Sequence, residues 1–192
     1  MATILELLSV LFGSFVLNLV PFASPSNLFI ASNAAIIVES DPFTLGFLVA
    51  LGSALAKLIV YGVTFFVGKH LGEKRRQRID AQGLKIKRWA FLLLFVAAAT
   101  PIPDEPVVIP LGLMKYNLGK FFVAFFLGKL VITITGAALG NWSLDVFSGV
   151  FGRTELIVLS IILTIVITVV MLKVDFGKLA EKVFKKKVVL PE

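Results

Sequence analysis

Cysteine is absent from the 192 residues, and histidine occurs once, as His70. A disulfide framework, a thiolate nucleophile and a thiolate metal site are therefore excluded, and a histidine cluster with them. Charge is scarce as well. Only 16% of the residues are Asp, Glu, Lys or Arg, where a soluble domain carries roughly 25%. HExxH, GxSxG and P-loop strings are missing, so the chain is not expected to be an enzyme and no catalytic or metal-binding residue is assigned. What is present is apolar: 58% of residues are hydrophobic, 18 of them Phe, and the mean hydropathy is +0.96. This composition excludes a soluble enzyme and a nucleic-acid binder, although the pI is about 9.8, and implies an integral membrane protein. The first residues contain Glu6 and no base, unlike a signal peptide, so the segment is expected to be retained.

A membrane-spanning helix needs about 20 apolar residues. Residues 43–67 and 155–172 meet this, and 121–139 does if Lys129 faces something polar. Residues 89–99 and 105–116 are long enough for only about half a bilayer as helix. Between them lies Thr100-Pro-Ile-Pro-Asp-Glu-Pro106, where Pro101, Pro103 and Pro106 remove amide donors and stop a helix. Two half-helices meeting at such a break read as a re-entrant hairpin. Residues 4–20 and 27–39 flank a similar break at Pro21 and Pro25. This first hairpin is the weaker reading, because 4–20 is nearly long enough to span alone.

The two segments can be superposed. Pro25-Ser26-Asn27 matches Pro103-Asp104-Glu105, Gly52 and Gly128 follow at similar distances, and Gly68 and Gly140 end the long helices. Hairpin plus spanning helix thus occurs twice, the kind of internal symmetry found in transporters. Bases are concentrated in 69–88 (Lys69, Lys74, Arg75, Arg76, Arg78, Lys85, Lys87 and Arg88) and in the lysines from Lys173 onward. The positive-inside rule places both on the cytoplasmic side of the plasma (inner) membrane. Tracing the chain from there makes the two repeats inverted. The expected organisation is one membrane domain, 1–172: repeat one 1–68, basic loop 69–88, repeat two 89–140 and a final transmembrane helix 154–172. A basic amphipathic tail, 173–192, follows on the membrane surface.

Charge at membrane depth is costly and marks functional sites. Asp104 and Glu105 open the second half-helix. One reading makes Asp104 a helix cap, with Ser26 its counterpart in repeat one; the other makes the acids a proton or cation site. Lys57 and Lys129 lie deep in the long helices, either bridging these acids as a structural core or attracting an anionic headgroup. Asn27, Asn18 and Asn33 are candidates to line a polar cavity or to pack between helices.

The string Thr100-Pro-Ile-Pro-Asp-Glu-Pro-Val-Val-Ile-Pro-Leu-Gly-Leu-Met114, followed by Lys120-Phe-Phe and Leu127-Gly-Lys129, resembles the DedA family of VTT-domain, SNARE-associated-Golgi-like membrane proteins. Pro25-Ser26, Leu51-Gly-Ser-Ala-Leu-Ala56, Tyr61 and Gly68-Lys-His-Leu-Gly72 extend the resemblance over about 18–140. It implies two inverted re-entrant hairpins and lipid transport, polyprenyl-phosphate flipping in bacterial members and phospholipid scrambling in eukaryotic relatives. Proton or sodium coupling is implied with it. The chain departs from the bacterial pattern in having Thr100 and Pro106 where arginines are usual, and Asn27 with Asn18 where an acid is usual.

The combined expectation is an all-α polytopic membrane protein acting as a lipid flippase or scramblase. Its substrate would be an anionic phosphate-headgroup lipid, such as a polyprenyl phosphate or a phospholipid. Asp104, Glu105, Lys129, Lys57, Asn27 and Ser26 would form the site, with no cofactor and no nucleic-acid partner. A homo-oligomer is left open. The alternatives are a transporter or channel for a small ion or drug-like cation, and a non-transporting membrane assembly factor.

Overall fold

The computed structural model describes residues 2–21, 24–70 and 88–173. Most of the basic loop and nearly all of the expected amphipathic tail lie outside the described residues. The described chain is all-helical: α1 (Ile4–Leu19), α2 (Asn27–Ile37), α3 (Pro42–Lys69), α4 (Ala90–Ala98), α5 (Glu105–Leu113), α6 (Leu118–Phe147) and α7 (Arg153–Lys173). Among the described residues, three helices are long and apolar enough to cross a membrane, those beginning at Pro42, Leu118 and Arg153.

Local chemistry sets the boundaries. Thr3 and Glu6 form a reciprocal capping box at the start of α1. Asp41 accepts the Thr44 amide at 2.8 Å, with Pro42 in the first turn of α3, where its missing amide costs nothing. Asn117 accepts the Lys120 amide at 2.9 Å and starts α6 earlier than residue 121. The same helix runs on to Phe147, past the expected end at 139–140, because Gly140 sits inside it against the Ser32 carbonyl of α2 and does not stop it. In contrast, α5 is shorter than the expected 105–116. Lys115 adopts a left-handed φ of 52°, and the Tyr116 amide reaches back to the Leu111 carbonyl at 3.0 Å, a Schellman closure.

Helices α3 and α6 pack against each other at the centre. The first short helix of each pair lies on the long helix that follows it, α1 on α3 and α4 on α6. The second short helices cross over, α2 chiefly on α6 and α5 on α3. Glycines permit both kinds of approach. A Cβ at Gly52 would strike the Leu11 carbonyl of α1, and one at Gly128 the Phe95 carbonyl of α4. At the far ends, Gly140 meets the Ser32 carbonyl of α2, and Gly68 the Leu113 carbonyl of α5. The glycines that align in the sequence therefore occupy corresponding positions in the packing.

Helix α7 sits at the side. Its apolar residues, such as Ile162, Val166 and Val169, are largely exposed, as suits a helix facing lipid. A polar seam attaches it to α2. Ser160 Oγ donates to Asn33 Oδ1 at 2.7 Å, and Asn33 Nδ2 donates to Thr164 Oγ1 at 2.9 Å. Arg153 donates to the Ile36 and Ile37 carbonyls and pairs with Glu39.

Candidate functional site: a buried chain of charges between two helix breaks

The N-terminal turns of α2 and α5 meet between α3 and α6. Lys57 extends from the middle of α3, Lys129 from α6, and Asp104 and Glu105 from the start of α5. Lys57 Nζ lies 2.6 Å from Glu105 Oε1 and 3.2 Å from Asp104 Oδ1. Lys129 Nζ lies 2.7 Å from Asp104 Oδ2. The result is a linear chain, Glu105–Lys57–Asp104–Lys129, with two charges of each sign. All four residues are at most 4% exposed. Lys129 also stands over the Phe125 ring, 5.1 Å from its centroid, which supplies a cation–π contact.

Capping does not explain the acids. Asp104 occupies the cap position of α5, but its side chain accepts no backbone amide there. Ser26, at the start of α2, makes no cap hydrogen bond either. For Asp104 the reason is energetic: at low dielectric two ammonium groups outweigh one amide dipole. Asp104 Oδ1 accepts no hydrogen bond and faces Lys57 at the longer distance, and Ser26 Oγ is also buried without a hydrogen-bond partner.

The first break is arranged similarly but with neutral groups. Asn27 and Asn18 exchange reciprocal amide hydrogen bonds of 2.9 and 3.0 Å. Ser53 Oγ donates to Asn18 Oδ1 at 3.2 Å, and Asn18 Nδ2 also reaches the Ser14 carbonyl at 2.8 Å. Asn27 and Glu105 are the first residues of α2 and α5. One finds an amide as its partner and the other an ammonium.

Both halves line one cavity of about 40 Å³, with Ser26 and Asn27 on one side, Asp104 and Glu105 on the other, and Lys57 and Lys129 between. That is room for a small number of water molecules, each needing about 10–15 Å³ of such space. Pro25, Pro101 and Pro103 form its rim, while Pro106 lies in the first turn of α5, exposed and away from it. Sequence reasoning thus selected six residues that surround a single space. Asn33 is the exception among the asparagines, since it joins α7 instead of lining this cavity. Ser53, Thr100 and Thr168 were not selected. Ser53 could have been, because it precedes Lys57 by one helical turn and shares its face. Thr168 carried no signal, since nothing in α7 marks which of its hydroxyls turns inward.

The model of the VTT domain matches residues 20–142, a span that holds both breaks and all four charges. An uncharacterized protein of Methanocaldococcus jannaschii is 28% identical over 138 residues, which cover 63% of this chain and 86% of that protein. No solved structure matches the chain. With more than half of its length matched, and both helix breaks within the matched part, the chain belongs to the VTT-domain family, the DedA family of membrane proteins.

Proposed function

We propose that this protein moves lipids with an anionic phosphate headgroup across the membrane, the headgroup passing between the two helix breaks while the tails stay in the bilayer. The observation that carries this reading is the buried Glu105–Lys57–Asp104–Lys129 chain beside the N-terminal turns of α2 and α5. Helix N-termini and ammonium groups both favour a phosphate. The crossed packing of α2 and α5 supports reading the two units as inverted re-entrant hairpins, which would bring each break to membrane depth from opposite sides. Charge placement supports a cytoplasmic location for 69–88 and for the C-terminus in the inner membrane.

The charge balance constrains how such a site works. Two lysines are already neutralised by two carboxylates, so an entering phosphate must displace an acid. Protonating Asp104 would release Lys129 from its carboxylate, and one proton would then accompany each negative charge that enters. A cation substrate would in the same way have to displace an ammonium, so what supports the anion is the pair of helix N-terminal turns beside the charges.

The test is translocation of fluorescent phosphatidylglycerol in proteoliposomes, with pH and sodium gradients of either direction. Protein-dependent movement should respond to pH and be lost in Lys129→Ala and in Asp104→Asn. Folded protein that moves neither this lipid nor a polyprenyl phosphate would overturn the reading. A second reading, a purely structural ion network, is favoured by the complete pairing of the four charges. It expects both variants to lose stability and to leave any transport unchanged.

A further inference from the structure

A second space adjoins the polar cavity. An apolar groove of about 320 Å³ lies between α1, α2 and α7, walled by Gly13 and Leu17, Ile30 and Ala34, and Ile161 and Ile165. Pro25 belongs to both spaces. Along α7 the two follow each other within a turn, Thr164 lining the groove and Thr168 the polar cavity. The groove therefore ends where the charged site begins.

Gly13, like Gly62 in α3, is a helix glycine that packing does not explain, and of the two only Gly13 lines the groove. Gly52, Gly128, Gly136 and Gly140 each face the backbone of a neighbouring helix, but a Cβ at Gly13 would meet nothing within 4 Å. A glycine inside a helix forgoes stability, and here no helix approaches to require it. What the missing side chain leaves is width in the groove.

We propose that this groove holds one acyl chain of the lipid whose headgroup enters the polar cavity, a proposal that rests on the function above. The lining is mainly aliphatic, the space shares Pro25 with the proposed phosphate site, and α7 is held to α2 by a narrow polar seam that leaves the flank beside it open to lipid. A chain in this groove, still at bilayer depth, gains no hydrophobic free energy over one among other lipids, because lipid tails are as apolar as leucine. The groove thus orients the lipid and points its headgroup at Pro25, and contributes little affinity. Helix α7 and all of α1 lie outside the matched span 20–142.

The test uses phosphatidylglycerol with a diazirine in its acyl chain, at low content in phosphatidylcholine vesicles holding the full-length protein. Photolabel should fall on peptides containing Val10, Leu17, Ile161 or Ile165. Gly13→Trp should reduce it about tenfold, the equivalent of about 1.4 kcal/mol, while Gly13→Ala and the bulky control Gly62→Trp leave it unchanged. Ile165→Trp fills the groove from the opposite wall and serves if Gly13→Trp fails to fold. Label spread evenly over exposed apolar residues overturns the proposal, as does crosslinking of this face to a second copy of the chain. Groove labelling without translocation supports the groove and removes the transport function. Translocation with no groove label, unaffected by Gly13→Trp, does the reverse.

Discussion

Removing Lys57 from the Glu105–Lys57–Asp104–Lys129 chain strands Glu105 as a buried charge without a counter-charge, while Asp104 keeps Lys129. Lys57→Met should therefore cost about 3–5 kcal/mol, the usual penalty for breaking a buried pair from one side, read as reduced resistance to SDS unfolding in micelles. Lys57→Met combined with Glu105→Leu should recover most of that loss, since both charges leave together. Asp41 gives a prediction at the surface. Hydrogen bonds from the Thr44 side chain and amide hold its carboxyl below the usual carboxylate range. A folded pKa below the unfolded value contributes stability above the unfolded pKa and loses it as pH falls through the folded one. Asp41→Ala should therefore be about 1 kcal/mol less stable than the parent near pH 6, as for other lost caps. That gap should close as the pH drops below the ordinary aspartate range, in unfolding curves taken at successive pH values. At this scale the sequence identified the charged residues, because four ionisable groups within apolar runs stand out. It did not say which lysine meets which acid, since that depends on the rotation of α3 against α6.

The helices themselves were legible wherever a breaker or a cap marks an end. Pro101 and Pro103 separate α4 from α5, and Asp41-Pro42 opens α3. The far end of α6 was not, because Gly140 read as its end, yet the helix continues through that glycine to Phe147. Nor could the crossed packing be read. In a bundle surrounded by lipid, inward and outward faces are both apolar, so hydropathy carries no record of which face meets which neighbour. Glycines carry part of that record, and they predict opposite signs for one substitution. Gly136→Ala puts a Cβ against the Leu28 backbone of α2 and should lose about 1–3 kcal/mol, as overpacking does. Gly62→Ala, which meets nothing within 4 Å, should gain about 0.5–1 kcal/mol from helix propensity. Thermal stability of the two purified variants against the parent decides the point.

Across the whole molecule, the absence of cysteine makes any introduced thiol unique. His70→Cys lies at the end of α3 and Ser148→Cys at the end of α6. If the positive-inside rule orients the chain, a membrane-impermeant maleimide added to intact cells should label position 148 and leave 70 unlabelled until the membrane is opened. Equal labelling of both would reject the proposed topology. The overall class and the three long helices followed from composition and run length alone. The joining of both breaks into one space did not, because it depends on helices far apart in the chain.

That separation has a consequence during synthesis. Helix α2 ends at Ile37, but the helix it chiefly packs against begins at Leu118. Lys57 leaves the ribosome 47 residues ahead of Asp104. At about 5–20 residues per second, the ribosome leaves that lysine without its acids for several seconds. During this interval the nascent chain must shelter a lone ammonium, at a lipid headgroup or beside the insertion machinery, and only the arrival of α5 lets the first half settle.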